Sequence, residues 1–589
     1  TPLKVGKFGI SSVISIGDDE LCENMREFYA KESRLPFEPI KKTQLDYRSC
    51  RIKGYLNLVD VILKRQIETI KGESFSPSTD LTKYFELLDN NSPLRKDYEK
   101  MLGLTDLNDK ENLQNALRQK VVPGTIDVNI MTKLDKQNYS RKGDLLPDEF
   151  SDALSALKGY AESTLRSSII FSAGFNRRLY AYITKCKDFF PNAEGDLKKK
   201  IVIKVSDYRS SLIQGKFLAK KGAWVSEYRI ESGLNCGGHA FPSEGKLLGP
   251  ILDVFKHKKD ELFESLFKIC NGALQSKELQ TFPGVPFTKV TVQGGIGTVN
   301  EDQFLRSEFQ VDETGWATPF LLVPEATHCD DETRQLLVNA EGKDLYLSGI
   351  SPLGVPFNTV RGTASESQKM ERAANGNPGS PCPKGFLVSN TEFTKVPICT
   401  ASKLYQRKKL AQLEEMDLNA DQKQIHTKQV IDKVCLCEDL AASALIESNI
   451  NNKRPLKSAI CPGPNLANFS KISSLKEMIG HIYGRLSLLN QNITRSNMFI
   501  AELKMYVKFL KSDVVKTIAP DKKKLSYFVE FKDNLFEGIE FYKVLLPKMV
   551  QETTNYRKYA YQELSEITQD LEYFIESNKP CFQGTKKIS

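Results

Sequence analysis

No apolar run in this chain approaches the roughly 20 residues that a membrane span needs. The first residues, TPLKVGKFGISS, also lack the charged-then-apolar layout of a secretion signal, so a cytoplasmic protein is expected. Histidine is scarce: the five present are scattered and form no pair at helical spacing, which argues against a metal-dependent phosphate-handling barrel. No C-x-x-C pair occurs among the twelve cysteines, too few in a chain of this size for a disulfide scaffold; in a reducing compartment they are free thiols, metal ligands or catalytic groups. The basic clusters DLKKK (196–200) and DKKK (521–524) carry no interleaved aromatics for base stacking, so they read as solvated helix ends and no nucleic-acid partner is expected. A short-period internal repeat is absent too.

What is present is an ordinary globular composition, 40% hydrophobic and 27% charged. At 589 residues the chain exceeds one compact core and predicts two or three structural units. The net charge of +9, from 83 basic and 74 acidic residues, is a small excess, compatible with a face that meets an acidic carrier protein.

Residues 1–30 read as a first βα unit, and 31–120 as a helical insertion containing GYLNLVDVILKRQIETI and LTKYFELLD. From 121 to 365 strand-like pieces alternate with helical segments: TIDVNIM, SSIIFSAG, KIVIKVS, AWVSEYRIES, TKVTVQGG, WATPFLLV and DLYLSG. With the first strand they number about eight, which predicts an α/β fold of the TIM (β/α)8 barrel type. A loop rich in small residues opens a cysteine-containing region at 366–471. Beyond 472, apolar residues recur at helical spacing (Leu475, Met478, Ile479; Ile500, Leu503, Val507, Leu510; Phe528, Phe531, Leu535, Ile539) and predict a helical C-terminal region.

In a parallel barrel the loops after the strands build the active site. In VTVQGGIGT, Gly294, Gly295 and Gly297 follow an apolar strand and precede a helix, which suits either an anion site or a tight turn without ligand. In NCGGHAF, Gly237 and Gly238 leave room for a flat ligand beside His239, a side chain whose proton changes hands near neutral pH; taken alone, a lone histidine is better read as a hydrogen-bonded structural imidazole. Thr318 in GWATPFLLVPEA follows one βα unit after the glycine loop, and in barrels a phosphate is commonly held between the last two strand loops.

In this order and spacing, the three segments resemble the nitronate monooxygenase family, FMN-binding barrels with an AGGH-type loop, a GGI phosphate loop and a following GT segment. A finer likeness is to the trans-acting enoyl reductases of polyunsaturated fatty acid and polyketide synthases, carried by QGGIGT, TRQLL (333–337), TASKLYQRK (400–408) and GPNL (463–466), over about 120–470. The resemblance implies that Gly294, Gly295, Gly297 and Thr318 hold the FMN phosphate, that Gly237, Gly238, Asn129 and Lys204 contact the flavin, and that His239 faces the substrate as the catalytic group. Asn129 also fits a strand cap. The implied activity is NAD(P)H-driven reduction of a C=C bond in an acyl thioester, on an acyl carrier protein or free. The alternatives are flavin oxidation of a nitronate-like carbanion, and a non-catalytic barrel whose C-terminal helices dock a partner or a second copy. Two departures stand out: Cys236 replaces the family's alanine, and Ala317 its glycine.

Five late cysteines, Cys382, Cys399, Cys435, Cys437 and Cys461, three of them beside proline, suit an iron–sulfur cluster, a structural zinc or buried free thiols. Placed on a strand, Cys435 and Cys437 would point to opposite faces, which weighs against shared ligation.

Overall fold

The computed structural model describes all residues except 17, 131–134, 141, 173, 241–242, 451–454, 492, 518–519 and 584–589. Thus Met131, Ala173 and Phe241, each in a motif quoted above, lie outside the described residues. Seven strands form one parallel sheet in chain order: β1 (Ser12–Ile16), β2 (Ile126–Ile130), β3 (Ser168–Phe171), β4 (Lys200–Val205), β5 (Val225–Glu231), β6 (Lys289–Gln293) and β7 (Glu313–Gly315). Their β-branched runs suit a sheet covered on both faces: Val128, Ile169, Ile203, Ile230 and Val292 are buried to 0% exposure. Each contributes roughly 1.5–3 kcal/mol by leaving water.

Two of the eight expected strands do not join this sheet. The run WATPFLLV is apolar enough for a strand, yet Thr318–Leu322 is a 3-10 turn in which Phe320 N–H donates to Ala317 O at 3.1 Å. Pro319 has no N–H to give a ladder and fixes φ for the turn. The strand at this position is the short, polar Glu313–Gly315 just before it. DLYLSG supplies β8 (Leu345–Ser348), but it pairs antiparallel with β9 (Phe357–Val360) as a separate hairpin. Among the described residues no strand links β7 back to β1, so the architecture is a seven-stranded parallel α/β sheet rather than a hydrogen-bonded closed barrel. The sheet nevertheless curls: Val13 on β1 and Glu313 on β7 line one cavity of about 1390 Å³.

Helices Tyr47–Lys71, Asp80–Glu86, Pro93–Gly103 and Leu107–Gln119 fill the stretch between β1 and β2. The C-terminal helices Met498–Lys516, Lys522–Leu545 and Thr554–Ser577 share the core of the sheet, where Leu503, Tyr506, Phe531 and Leu564 pack in one cluster with Ile230 and Val292. A second cluster joins the helices before β2 to the 3-10 turn and to helix Leu475–Ile482.

Candidate functional site

The chain turns sharply where β6 ends. Gly294 (φ 103°) and Gly295 (φ 80°) are left-handed, a state natural only to glycine, and both are pressed against the loop after β5. A Cβ at Gly294 would lie 2.9 Å from Asn235 N, and one at Gly295 2.6 Å from Leu234 Cδ1. Among the described residues, no acceptor is found for the amides of Gly294, Gly295 and Ile296. Successive amides turned this way, just before a helix, form an anion-binding concavity.

Gly297 is different. Its amide donates to Glu301 Oε2 at 2.9 Å, and Glu301 is paired with Arg495 at 2.6 Å, both side chains buried. Arg495 also donates to Gly295 O (3.0 Å), and a Cβ on Gly297 would come within 2.7 Å of its guanidinium. His481 fixes the same turn: its Nε2 lies 3.0 Å from Gly297 O, and its Nδ1 accepts the Leu488 amide at 3.3 Å. Those partners select the neutral tautomer protonated at Nε2, and burial lowers the imidazole's affinity for a second proton.

Three further segments close on this loop. Thr318 Oγ1 accepts the Gly463 amide at 3.1 Å, and Asn465 Nδ2 donates to Ile296 O at 3.3 Å, so the GPNL motif packs directly on the glycine loop. Asn358 Nδ2 donates to Gly233 O (3.2 Å) and Asn235 O (3.0 Å). Among the described residues, the buried Oδ1 atoms of Asn358, Asn465 and Asn129 have no hydrogen-bond partner, a costly state unless a ligand or water donates to them. Cys236 contacts the Thr318 side chain and donates from Sγ to Cys461 O at 3.4 Å; burial pushes its thiol up to about 11, so it stays protonated at neutral pH. Cys236, Gln293 and Ala317 are among the residues that line the large cavity, most of whose lining comes from the N-terminal ends of the strands, as with Ser12, Ser168, Lys200 and Lys289.

His239 is stitched to the β8–β9 hairpin. Asn358 N–H donates to Gly238 O (2.7 Å) and Ala240 N–H to Pro356 O (2.9 Å), so the segment runs as a bridge along Phe357. Its Nε2 is 2.8 Å from Ser351 Oγ, and the Phe357 ring meets the imidazole edge-on at 5.2 Å. Lys204, at the end of β4, forms an ion pair with Glu231 at 2.9 Å, and Glu231 Oε1 also accepts from Asn235 Nδ2 (2.8 Å) and Gln293 Nε2. That network ties Lys204 to the glycine loop through Gln293. Asn129 Nδ2 reaches Ser15 Oγ at 3.4 Å.

The structure thus brings Gly238, Gly294, Gly295, Gly297 and Thr318 together, with exposed Gly237 beside them, and sets His239 at the hairpin edge of the group. It also shows what the sequence pattern missed: Glu301, Arg495, His481, Asn358, Asn465 and Glu502. Glu502, 1% exposed, accepts from Ser232 Oγ (2.7 Å), Gly233 N (3.1 Å) and Leu248 N (2.8 Å), clamping the loop after β5 onto a C-terminal helix. The sequence signal for that role is an acid, Glu502, in a helix whose Phe499, Leu503 and Tyr506 form its buried face.

Cys236 Sγ donates to Cys461 O at 3.4 Å, and Cys461 packs with Cys382, Cys399 and Cys437 on one small apolar cluster. Cys435 and Cys437 are not on a strand: Cys435 caps helix Leu436–Glu447 and Cys437 lies in its first turn, so opposite orientation does not apply. The Cys399 S–H holds the Cys382 thiol down to about 6. Among the described residues, no three His, Cys, Asp or Glu side chains are already set around a common metal position.

No protein-family model and no curated protein matches the chain. Solved structures that resemble it include the enoyl reductase domain of MlnA from the macrolactin biosynthesis cluster of Bacillus amyloliquefaciens, at 13% identity and TM-score 0.32, covering 67% of this chain and 86% of that one. Another is nitroalkane oxidase from Streptomyces ansochromogenes, at 8% identity and TM-score 0.30, covering 65% and 86%. At those values neither likeness supports a statement about chemistry.

Proposed function

We propose that the protein is an FMN-dependent oxidoreductase that reduces an activated C=C bond of an acyl thioester with a reduced nicotinamide. The observation that carries this reading is the glycine turn: three consecutive amides without acceptors among the described residues, in a loop whose neighbours Cys236, Gln293 and Ala317 line a cavity of about 1390 Å³. The residues fit the cofactor. The amides of Gly294, Gly295 and Ile296 receive the phosphate, with Thr318 and the Arg495 guanidinium close by. The buried Oδ1 atoms of Asn129, Asn358 and Asn465, which have no donor among the described residues, offer acceptors to the same ligand. Bound there, FMN supplies hydride transfer between nicotinamide and substrate; the protein's part is orientation and proton supply. His239, hydrogen-bonded to Ser351, handles the proton at the α-carbon or polarises the thioester carbonyl. The net positive charge suits delivery of the substrate by an acidic acyl carrier protein.

One observation favours a second reading, a barrel kept for assembly: Glu301 already occupies the Gly297 amide, as a carboxylate does at a helix start that needs no ligand. Spectra separate the two. The purified protein mixed with FMN and desalted is expected to retain about one flavin per chain, and NADPH to bleach it without oxygen present. A chain that retains no flavin refutes both enzymatic readings. Flavin that a nitronate reduces and NADPH does not would select the nitronate-oxidising alternative.

A further inference from the structure

A second cavity, of about 410 Å³, is walled by the turn between β8 and β9, the same turn whose Ser351 meets His239. Helices Lys403–Glu415 and Ala420–Ile431, joined by the short link 416–419, build much of the rest. Residues three and four apart share a helix face, so Tyr405, Lys409 and Leu413 form one stripe and His426, Gln429 and Val430 another. Both stripes line the cavity, and the TASKLYQRK segment (400–408) supplies Thr400 and Tyr405 to it. Hydrogen bonds hold the turn in place before the first helix and after the second: Thr400 Oγ1 donates to Pro352 O (2.9 Å), Val434 N–H to Ile350 O (3.1 Å) and Lys433 Nζ to Gly349 O (2.6 Å).

The charge of the lining has one sign. Lys409, His426 and Lys433 belong to it, and no Asp or Glu does among the described residues. Lys409 is matched by Glu392, which is not part of the lining, at 2.7 Å. Lys433 forms no ion pair among the described residues, and Gly349 O takes one of its three N–H bonds. A cationic lining without acids attracts an anion. His426 Nδ1 lies 3.2 Å from Gln429 Oε1, which leaves Nε2 for a ligand. Beside these groups, Leu353, Leu413, Val430 and the Tyr405 ring offer an apolar surface to a flat base. Asn390 Oδ1 accepts the Glu392 amide at 3.0 Å, and its Nδ2, with no acceptor among the described residues, can donate to the edge of that base.

We propose that this cavity binds a phosphorylated adenosine, with its phosphates at Lys433, Lys409 and His426 and its adenine against Tyr405, Leu413 and Val430. The volume falls within the roughly 300–1,000 Å³ usual for small-ligand pockets. Two molecules carry such an end into the proposed reaction, NADPH and a coenzyme A thioester, and the choice of ligand rests on that reading. The shared turn links the cavity to the reacting groups. A nucleotide held by its adenosine against Pro352 and Leu353 passes Ser351 to bring its other end to His239.

Titration calorimetry on the full chain, with 2′,5′-ADP, 3′,5′-ADP and adenosine as probes, tests the site. At least one of the two nucleotides is expected to bind, and adenosine, which lacks the phosphates, to bind about tenfold more weakly or less. Preference for 2′,5′-ADP assigns the cavity to NADPH, and preference for 3′,5′-ADP assigns it to coenzyme A. Lys433→Gln should weaken the preferred nucleotide about tenfold and leave adenosine unchanged. Absence of binding by both nucleotides overturns the proposal, as does equal affinity for adenosine or an unchanged affinity in Lys433→Gln. Should Lys433→Gln fail to fold, the comparison with adenosine on the unsubstituted protein decides. Failure here is distinct from failure of the proposed reaction: nucleotide binding by a chain that retains no flavin refutes the reaction and keeps the site, whereas flavin bleached by NADPH in a chain that binds neither probe refutes the site and keeps the reaction.

Discussion

Replacing Glu502 by alanine removes the clamp between the loop after β5 and the C-terminal helices. Three donors end on this one buried carboxyl: Ser232 Oγ–H, Gly233 N–H and Leu248 N–H. The serine hydroxyl can rotate to another acceptor, but the two amides are fixed by the backbone and would be left buried and unpaired. Each orphaned donor costs about 1–3 kcal/mol, so the substitution should remove about 2–6 kcal/mol. That is a large share of the roughly 5–15 kcal/mol that holds a typical domain together. Relaxation is hindered, since Gly233 lies against Met505 and Tyr506, where even a Cβ would come within 2.4 Å of Met505 Cε. Urea unfolding followed by circular dichroism measures the loss as a lower midpoint at unchanged slope. A shift under about 1 kcal/mol would show that the clamp is not a structural tie and refute the reasoning.

Burial raises the Asp439 carboxyl to about 7, so its contribution to stability is full below about 4 and is lost as pH rises through about 7; Asp439→Asn should flatten that fall in melting temperature between pH 5 and 8. His481 is shifted the other way: held neutral by burial, it supports the fold above its ordinary value of 6.5 and loses that support as pH falls, so melting temperature should drop from pH 6.5 to 5.5 in the unsubstituted protein and less in His481→Gln. Gly238→Ala places a Cβ 2.3 Å from the Phe357 ring on a left-handed backbone, for an expected loss of about 1–3 kcal/mol; Phe357→Leu in the same chain should restore part of it, and additive losses in chemical denaturation would show that the two do not touch.

Strands β1 to β6 were legible because each is a short β-branched run followed by turn residues. The last two expected strands failed for opposite reasons. WATPFLLV has a strand's composition but a proline where a ladder donor is needed, while the true strand, Glu313–Gly315, is too short and polar to announce itself. DLYLSG is extended as expected, but its partner β9 follows after eight residues, and it pairs with that local strand rather than with the sheet. The glycines were legible because their backbone states exclude other residues. What packs upon them was not: Arg495 and Glu301 are 194 residues apart, and no local window relates them. The cysteines show the same limit: closeness along the chain grouped five late ones, whereas Cys461 meets Cys236 from 225 residues away.

The glycine turn also shows why a motif specifies a shape before it specifies a ligand. Left-handed Gly294 and Gly295 followed by a helix aim successive amides at one point, and any acceptor can satisfy them, including one from the chain itself. Here Glu301 takes the amide of Gly297, and Arg495 then neutralises the carboxylate in the interior, where an unpaired charge would be costly. The pair adds no net charge beside the turn, so it leaves the field of the remaining amides favourable to an anion. It also locks Gly297 and Gly295 in place. Self-capping and ligand binding are therefore not exclusive on this loop: the Glu301–Arg495 pair accounts for one amide of the turn, and the three before it are what a phosphate would require.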